Sequence, residues 1–307
     1  MRVIETITEV RSVCEETRRS GGTVGFVPTM GYFHAGHRSL MDAARRENGL
    51  VVVSHFVNPT QFGPNEDLSA YPRDVDHDIA LANAAAVDVL FMPTVGEMYP
   101  TGTPHTTVHV AGLTEGMCGA SRPTHFDGVT TVVAKLFSIV GPCRAYFGRK
   151  DFQQVAVVRR MTVDLDLPVE VVGCPLVREA DGLARSSRNA YLTPEARAAA
   201  PALYAALMHA VALIRAGDRR AAVLVESIVT RIGAEPSLTL EYVEIRDSGS
   251  LVPLETIRGS FVIALAAQSG RARLIDNVVV DLDGDQVAVD AGVIEASSDG
   301  PSVVVNP

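Results

Sequence analysis

Cysteine is scarce and unpaired in this 307-residue chain: Cys14, Cys118, Cys143 and Cys174 form no CxxC and no metal-binding spacing. That excludes a zinc ribbon or a disulfide-stapled scaffold and fits reduced thiols in a cytoplasm. Long apolar runs are lacking too. Polar residues interrupt each one before the roughly 18 to 20 positions needed to cross a bilayer, so no membrane span is expected. The opening stretch, MRVIETITEVRSVCEETRRS, has no continuous apolar core, which argues against a secretory signal. Nor is there a surplus of positive charge. A net charge of −9 and a pI near 5.4 leave no basic face for DNA or RNA, and no nucleic-acid partner is expected.

What is present is the composition of an ordinary globular enzyme, with 47% hydrophobic and 21% charged residues. The length suits two domains, or one large α/β domain with an appendage. Residues 7–19 alternate charge and apolar positions at helical spacing. Apolar, β-branched strands are predicted at 24–27, 50–59, 87–93, 144–147 and 169–174, with helices at 76–86, 129–140 and 152–165 between them. Such alternation indicates a parallel sheet with crossover helices, a Rossmann-like α/β domain over residues 1–176. Between these elements, residues 63–73 read as a loop and residues 98–127, rich in Gly, Thr and Pro, as an active-site rim.

Beyond residue 176, VREADGLARSSRN is a loop with two serines and three arginines. Thr193-Pro194-Glu195 opens a long Ala-rich helix to about residue 216. A second helix at 219–232 and strands in TLEYVEIRD, SFVIALAAQ and RLIDNVVV predict a smaller α+β lid domain over 177–283. Residues 284–307, acidic and Gly/Ser-containing, are expected to be a poorly ordered tail or an edge extension.

The chain is organised around TVGFVPTMGYFHAGH, residues 23–37. It reads as a short strand, a turn, and two histidines three apart where a helix starts. A helix N-terminus leaves backbone N–H groups unpaired and attracts phosphate, and imidazoles at i and i+3 project from nearly one side. Zinc lacks a third ligand nearby in sequence. In an open parallel sheet ligands collect at the carboxyl ends of strands, where three segments fall: this turn, residues 58–61, and Gly148-Arg149-Lys150-Asp151. Taken alone, the last is equally a solvated turn, and Gln61 and Gln154 are ordinary polar side chains.

Together, PTMGYFHAGH, FVNPTQF, GRKDFQQ and RSSRN, in this order and spacing, closely resemble the pantothenate synthetases. These are the ATP-dependent pantoate–β-alanine ligases of the HxGH nucleotidylyltransferase superfamily, and the likeness spans roughly residues 20 to 280. It implies that ATP is held by Met30, Gly31, Tyr32, Phe33, His34, Ala35, Gly36 and His37, and by Gly148, Arg149, Lys150 and Asp151. Backbone at Val177 and Arg185 would lie near the adenine, and Ser186, Ser187 and Arg188 would close over the phosphates. His34, His37, Lys150 and Arg188 would be the catalytic donors and cations; Gln61 and Gln154 would hold pantoate beside β-alanine, with Asn58 supporting.

The implied reaction joins (R)-pantoate and β-alanine through pantoyl adenylate, giving pantothenate, AMP and pyrophosphate in the pathway to coenzyme A. Magnesium would ride on the ATP phosphates without dedicated protein ligands, Asp76 and Asp78 being outer contacts or simply a solvated helix start. A cytoplasmic homodimer is expected. Three positions depart from the commoner pattern: Ala35 and Arg149, where acids are usual, and Arg185, where a hydrophobic residue is common. The rival readings are a simple nucleotidylyltransferase, a fragment of a tRNA-charging enzyme, and a nucleotide-binding protein without catalysis.

Overall fold

The computed structural model describes residues 1–64 and 66–295. The chain divides into two compact units, Met1–Cys174 and Pro175–Pro307. In the first, a short strand β1 (Arg2–Ile4) precedes helix α1 (Ile7–Arg19), which Thr6 caps by accepting the Glu9 N–H. Strand β2 (Val24–Thr29) then runs into helix α2 (Ala35–Glu47), and β3 (Leu50–His55) leads through a loop to α3 (Val75–Ala84). After β4 (Val89–Phe91) come two short helices, α4 (Val95–Met98) and α5 (Met117–Ser121), and the long α6 (His125–Val140). The unit closes with β5 (Cys143–Gly148), α7 (Phe152–Asp164) and β6 (Val169–Cys174).

The six strands form a parallel sheet in the order β1-β4-β3-β2-β5-β6. Side chains on a strand alternate between faces, and the core divides accordingly. Phe26, Val52, Phe91 and Phe147 pack with residues of α1, α6 and α7; Val27, Val51, Val53, Leu90 and Tyr146 pack with α2 and α3. Helices therefore cover both faces, which is why these strands read as near-continuous apolar runs. From β2 the chain winds outward through β3 and β4, then returns to place β5 on the other side of β2. The reversal puts a crevice at the carboxyl ends of β2 and β5, the place where open α/β sheets bind ligands.

Helix α2 begins at Ala35, between the two histidines, the first of which serves as its cap. Three elements differ from expectation. Strand β2 runs to Thr29 rather than residue 27, its pairing with β3 continuing through Pro28 and Thr29. Helix α6 begins at His125 rather than residue 129, its first turn hidden in the Pro- and Gly-containing RPTHFDG. Strand β1 was not foreseen, since three residues carry too little periodicity to read.

The second unit begins with β7 (Val177–Arg178), followed by α8 (Pro194–Ala199), α9 (Ala202–Arg215) and α10 (Ala221–Gly233). The single long helix expected here is interrupted at Ala200 and Pro201. The stretch Pro194–Arg215 is long and apolar enough to cross a bilayer by composition. Here Leu203, Leu207, Val211 and Ile214 instead pack on Phe261, Ile263 and Leu265 in the core of the unit, as in a core helix of a globular domain. Strands β8 (Thr239–Asp247), β9 (Gly259–Ser269), β10 (Ala272–Asp283) and β11 (Gln286–Asp290) make an antiparallel sheet in the order β11-β10-β9-β8. β12 (Val293–Ile294) pairs in parallel with β7. Part of the segment expected to be a poorly ordered tail or an edge extension thus forms β11 and β12, while residues 296–307 lie outside the described residues.

A fully buried arginine organises this unit. Arg178 donates through Nε to the Ala291 carbonyl, through Nη1 to Gly182 and Asp276, and through Nη2 to Asp276 and Asn277. Its five N–H groups thus find five acceptors, and the guanidinium lies 4.0 Å from the centroid of the Tyr204 ring. Removing one partner of such a pair leaves a charge buried and unpaired, at a cost of about 3–5 kcal/mol. Arg178→Ala and Asp276→Ala should each lower the unfolding free energy by that order in chemical denaturation. A loss below about 1 kcal/mol, the scale of an exposed pair, would show that the network relaxes without them.

Candidate active site

The crevice is built from the turn after β2. Gly31 and Tyr32 both adopt positive φ, +83° and +53°, a strained path for a non-glycine residue. The buried carboxylate of Asp78, on α3, holds that path in place. It accepts the Tyr32 N–H at 2.7 Å, the Phe33 N–H at 2.6 Å and a bond of 2.8 Å with Nε2 of His55. Burial alone would raise the pKa of Asp78, but the bonds from His55, Phe33 and Tyr32 outweigh it and keep the carboxyl below its usual value. Gly31 cannot be larger: a Cβ there would stand 2.3 Å from Nε2 of His55. Asp78, considered above as an outer contact of magnesium, is therefore a structural anchor; Asp76 is an exposed residue in the first turn of α3.

The two histidines cap α2 reciprocally. Nδ1 of His34 accepts the Gly36 N–H at 3.1 Å, and Nδ1 of His37 accepts the His34 N–H at 3.3 Å, with ring centroids 4.2 Å apart. This has the form of a capping box, with imidazoles in the usual places of the hydroxyl and the carboxylate. An accepting Nδ1 carries no proton, so Nε2 of each ring does, and each is fixed as a donor. Desolvation pushes the pKa of His37 down to about 4; Asp78 opposes this and Lys150 adds to it. His37 is thus neutral at pH 7, and the pair adds two N–H donors to those of the helix terminus. Ala35 and Gly36 lie in that first turn.

Gly148, Arg149, Lys150 and Asp151 occupy the carboxyl end of β5, residues 149–151 making a turn of 3-10 helix. Lys150, one of two lysines in the chain, is largely buried, its Nζ 3.4 Å from the Asp151 carboxylate. The Arg149 guanidinium donates to the Gly173 carbonyl at 3.2 Å, which turns it toward β6. A Cβ at Gly148 would meet no neighbour within 4 Å, so this backbone is open to a ligand.

At the end of β3, Asn58 and Gln61 are buried together. Asn58 Nδ2 donates to Gln61 Oε1 at 3.1 Å and to the Gly128 carbonyl, and Asn58 Oδ1 accepts from the Tyr99 hydroxyl at 2.8 Å. Gln61 Nε2 points to the sulfur of Met30 at 3.1 Å, tying this pocket to the first turn. Helix α6 approaches so closely that a Cβ on Gly128 would lie 2.4 Å from the Thr60 carbonyl. His125 and Arg122 both donate to the Gln61 carbonyl, and Arg122 also pairs with Glu66. Burial, aided by Arg122, pushes His125 down to about 4. Gln154 is half-buried with no side-chain hydrogen bond among the described residues, whereas its neighbour Gln153 is committed to the carbonyls of Leu113 and Gly116.

Sequence reasoning located these segments but missed Asp78, His55, Tyr99, Arg122 and His125 as the groups that shape them. The available signal was polar residues set within otherwise apolar or turn-forming surroundings, such as Ser54-His55 ending β3 and RPTHFDG in the expected rim. In the second unit, Arg185 donates its N–H to the Val177 carbonyl at 2.9 Å. Ser186 caps a 3-10 turn over residues 187–191 by accepting the Arg188 N–H at 3.2 Å, and Ser187 is buried.

Residues 2–279 match the model of the pantoate-beta-alanine ligase family. The chain belongs to that family. It is similar to proteins named pantothenate synthetase from Heliobacterium modesticaldum, 57% identical over 92% of this chain and all of the relative, and from Moorella thermoacetica, 54% identical over the same shares. Among solved structures, pantothenate synthetase from Thermus thermophilus superposes with TM-score 0.85 at 50% identity, covering 90% of this chain and 98% of that one. A pantoate-beta-alanine ligase from Francisella tularensis, complexed with beta-gamma ATP and beta-alanine, superposes at 0.73 and 33% identity over 90% and 97%.

Two measurements test the geometry. Asp78→Asn keeps the shape but removes the charge that three donors share, and bonds to a charged group contribute about 1.5–3 kcal/mol each. Unfolding free energy should fall by at least about 2 kcal/mol; an unchanged denaturation midpoint would contradict the anchoring role. His37 and His125 bind protons more weakly folded than unfolded. Their contribution is therefore complete above pH 6.5 and is lost as pH falls toward about 4. The drop in Tm between pH 6.5 and 4.5 should shrink in the double variant His37→Gln/His125→Gln.

Proposed function

We propose that the chain condenses (R)-pantoate with β-alanine at the expense of ATP, forming pantothenate, AMP and pyrophosphate through pantoyl adenylate. The observation that carries this reading is the pair of Nε2–H donors fixed on the N-terminus of α2, at the switch point of the sheet. Such an arrangement suits a polyphosphate. Nucleotidyl transfer asks a protein for position and for stabilisation of spreading negative charge, rather than for a nucleophile of its own. His34, His37 and Lys150 supply donors and a cation. Neutral imidazoles stabilise through their N–H groups without giving up a proton to the reaction.

The pantoate carboxylate would be the nucleophile toward the α-phosphate. The amides of Gln61, Gln154 and Asn58 offer donors and acceptors to its oxygens and hydroxyls, and unlike an arginine clamp they leave the carboxylate reactive. The β-alanine amine then displaces AMP from the acyl carbon. Met30 to His37 and Gly148 to Asp151 form the nucleotide-facing backbone in this reading, Asp151 serving better as a ribose-hydroxyl acceptor than beside phosphate. Ser186, Ser187, Arg188 and the backbone of Val177 and Arg185 are assigned to the nucleotide by the family likeness alone.

Among the described residues no group of three or more His, Cys, Asp or Glu is arranged to hold a metal ion. Magnesium in this reading is held by phosphate oxygens and water, as its octahedral shell prefers. The homodimer expected of the family is part of this proposal and is checked by sedimentation. A cytoplasmic location accords with four free thiols.

The deciding experiment follows AMP formation with ATP, magnesium, pantoate and β-alanine, omitting each in turn. Loss of AMP on every omission supports the ligase. A simple nucleotidylyltransferase would release no free AMP, and a nucleotide-binding protein without catalysis would release no pyrophosphate when pantoate is added. Removing one charge-stabilising donor costs about 2.7–4 kcal/mol of barrier, so His37→Ala and Lys150→Ala should each slow adenylate formation on the order of a hundredfold or more. Rates within a few-fold of wild type in both would sink the assignment. Gln154→Ala should raise the KM for pantoate and leave that for ATP unchanged.

A further inference from the structure

Residues beyond the family match, which ends at position 279, turn back onto the segment assigned above to the nucleotide. β7 and the residues after it form a small hairpin: Arg178 bridges Ala184, Glu179 N–H donates to the Leu183 carbonyl at 2.8 Å, and Arg185 N–H returns to Val177. That hairpin leaves one edge of β7 exposed, and β12 fills it. Val293 N–H donates to the Leu176 carbonyl at 2.7 Å and Glu295 N–H to the Arg178 carbonyl at 2.8 Å, while Arg178 reaches the Ala291 carbonyl. The chain makes this approach through Gly292, with φ +83°, where a Cβ would stand 2.4 Å from the Leu176 carbonyl. Only glycine passes there at no steric cost.

The side chains continue the link. Both Nε and Nη2 of Arg185 bond to Oε2 of Glu295, at 2.8 and 2.6 Å, and Nη1 bonds to Glu179 at 3.2 Å. Glu179 in turn accepts from Asn189 and Arg197. The partner of Arg185 thus lies in the stretch outside the family match. We propose that residues 286–295 form a strap that holds the segment 177–188 in its nucleotide-binding shape, Glu295 acting as a positioning residue through Arg185. The proposal rests on the ligase reading for its substrate, ATP, though not for its geometry.

Because the strap pre-organises a binding segment and touches no reacting atom, its loss should appear in affinity for ATP alone. In the full-length chain, Glu295→Gln should raise the KM for ATP about threefold and Gly292→Val about tenfold, with kcat and the KM for pantoate within twofold of wild type. A merely structural role would lower kcat through lost active protein and leave each KM unchanged. That outcome, or a KM for ATP unaltered in both variants, overturns the strap. Wild-type protein that formed no AMP would refute the ligase reading by itself. Hydrogen exchange at the Arg185 amide would then decide: faster exchange in both variants supports the strap, and unchanged exchange overturns it.

Discussion

One buried carboxylate sets the shape of the N-terminal crevice. Without Asp78, the amides of Tyr32 and Phe33 would face the protein interior with no acceptor, and the positive-φ path through Gly31 and Tyr32 would have nothing to oppose its strain. That path delivers His34 to the cap of α2 in the orientation in which its ring nitrogen meets the Gly36 N–H. Capping then fixes both imidazole tautomers, which decides where donors point. The sequence of causes runs from a carboxylate on α3, through a strained turn, to two protons on the outer nitrogens of neighbouring rings.

The C-terminal unit reaches order by a parallel device with the opposite charge. Arg178 is buried with all its donors used, and the carbonyls it holds belong to the hairpin turn at Gly182, to β10 at Asn277 and to the approach to β12 at Ala291. Desolvating a guanidinium is costly, and only a full set of acceptors with good geometry offsets it. The same completeness makes the arrangement specific, since a shifted register would orphan at least one donor. The ion pairs of Arg185, Glu179 and Glu295 are half-exposed and contribute direction more than stability.

Much of this was legible before any coordinates. Alternation of apolar strands with helical segments predicted the parallel sheet, and the two histidines that follow the Met-Gly turn marked the carboxyl end of β2, where the candidate site lies. What escaped were groups whose role depends on a distant partner. Asp78 read as an outer contact of magnesium or one acid of a solvated helix start, because nothing in VDHDIALANA reports that it accepts from the amides of Tyr32 and Phe33. Gln153 and Gln154 are adjacent and chemically identical, yet the pitch of α7 sends one into the carbonyls of Leu113 and Gly116 and leaves the other without a side-chain hydrogen bond among the described residues.

Local chemistry and periodicity, which act over a few residues, determined from sequence alone the two-part α/β organisation and the three turns that hold the candidate chemistry, and the ordered motifs carried the resemblance to the family. The tertiary structure decided which nitrogen of each histidine bears a proton, which acids anchor backbone rather than face solvent, and that residues 286–295 add strands instead of trailing away. Those outcomes depend on desolvation and on hydrogen bonds between residues tens of positions apart, and such distances are set only when the chain has folded.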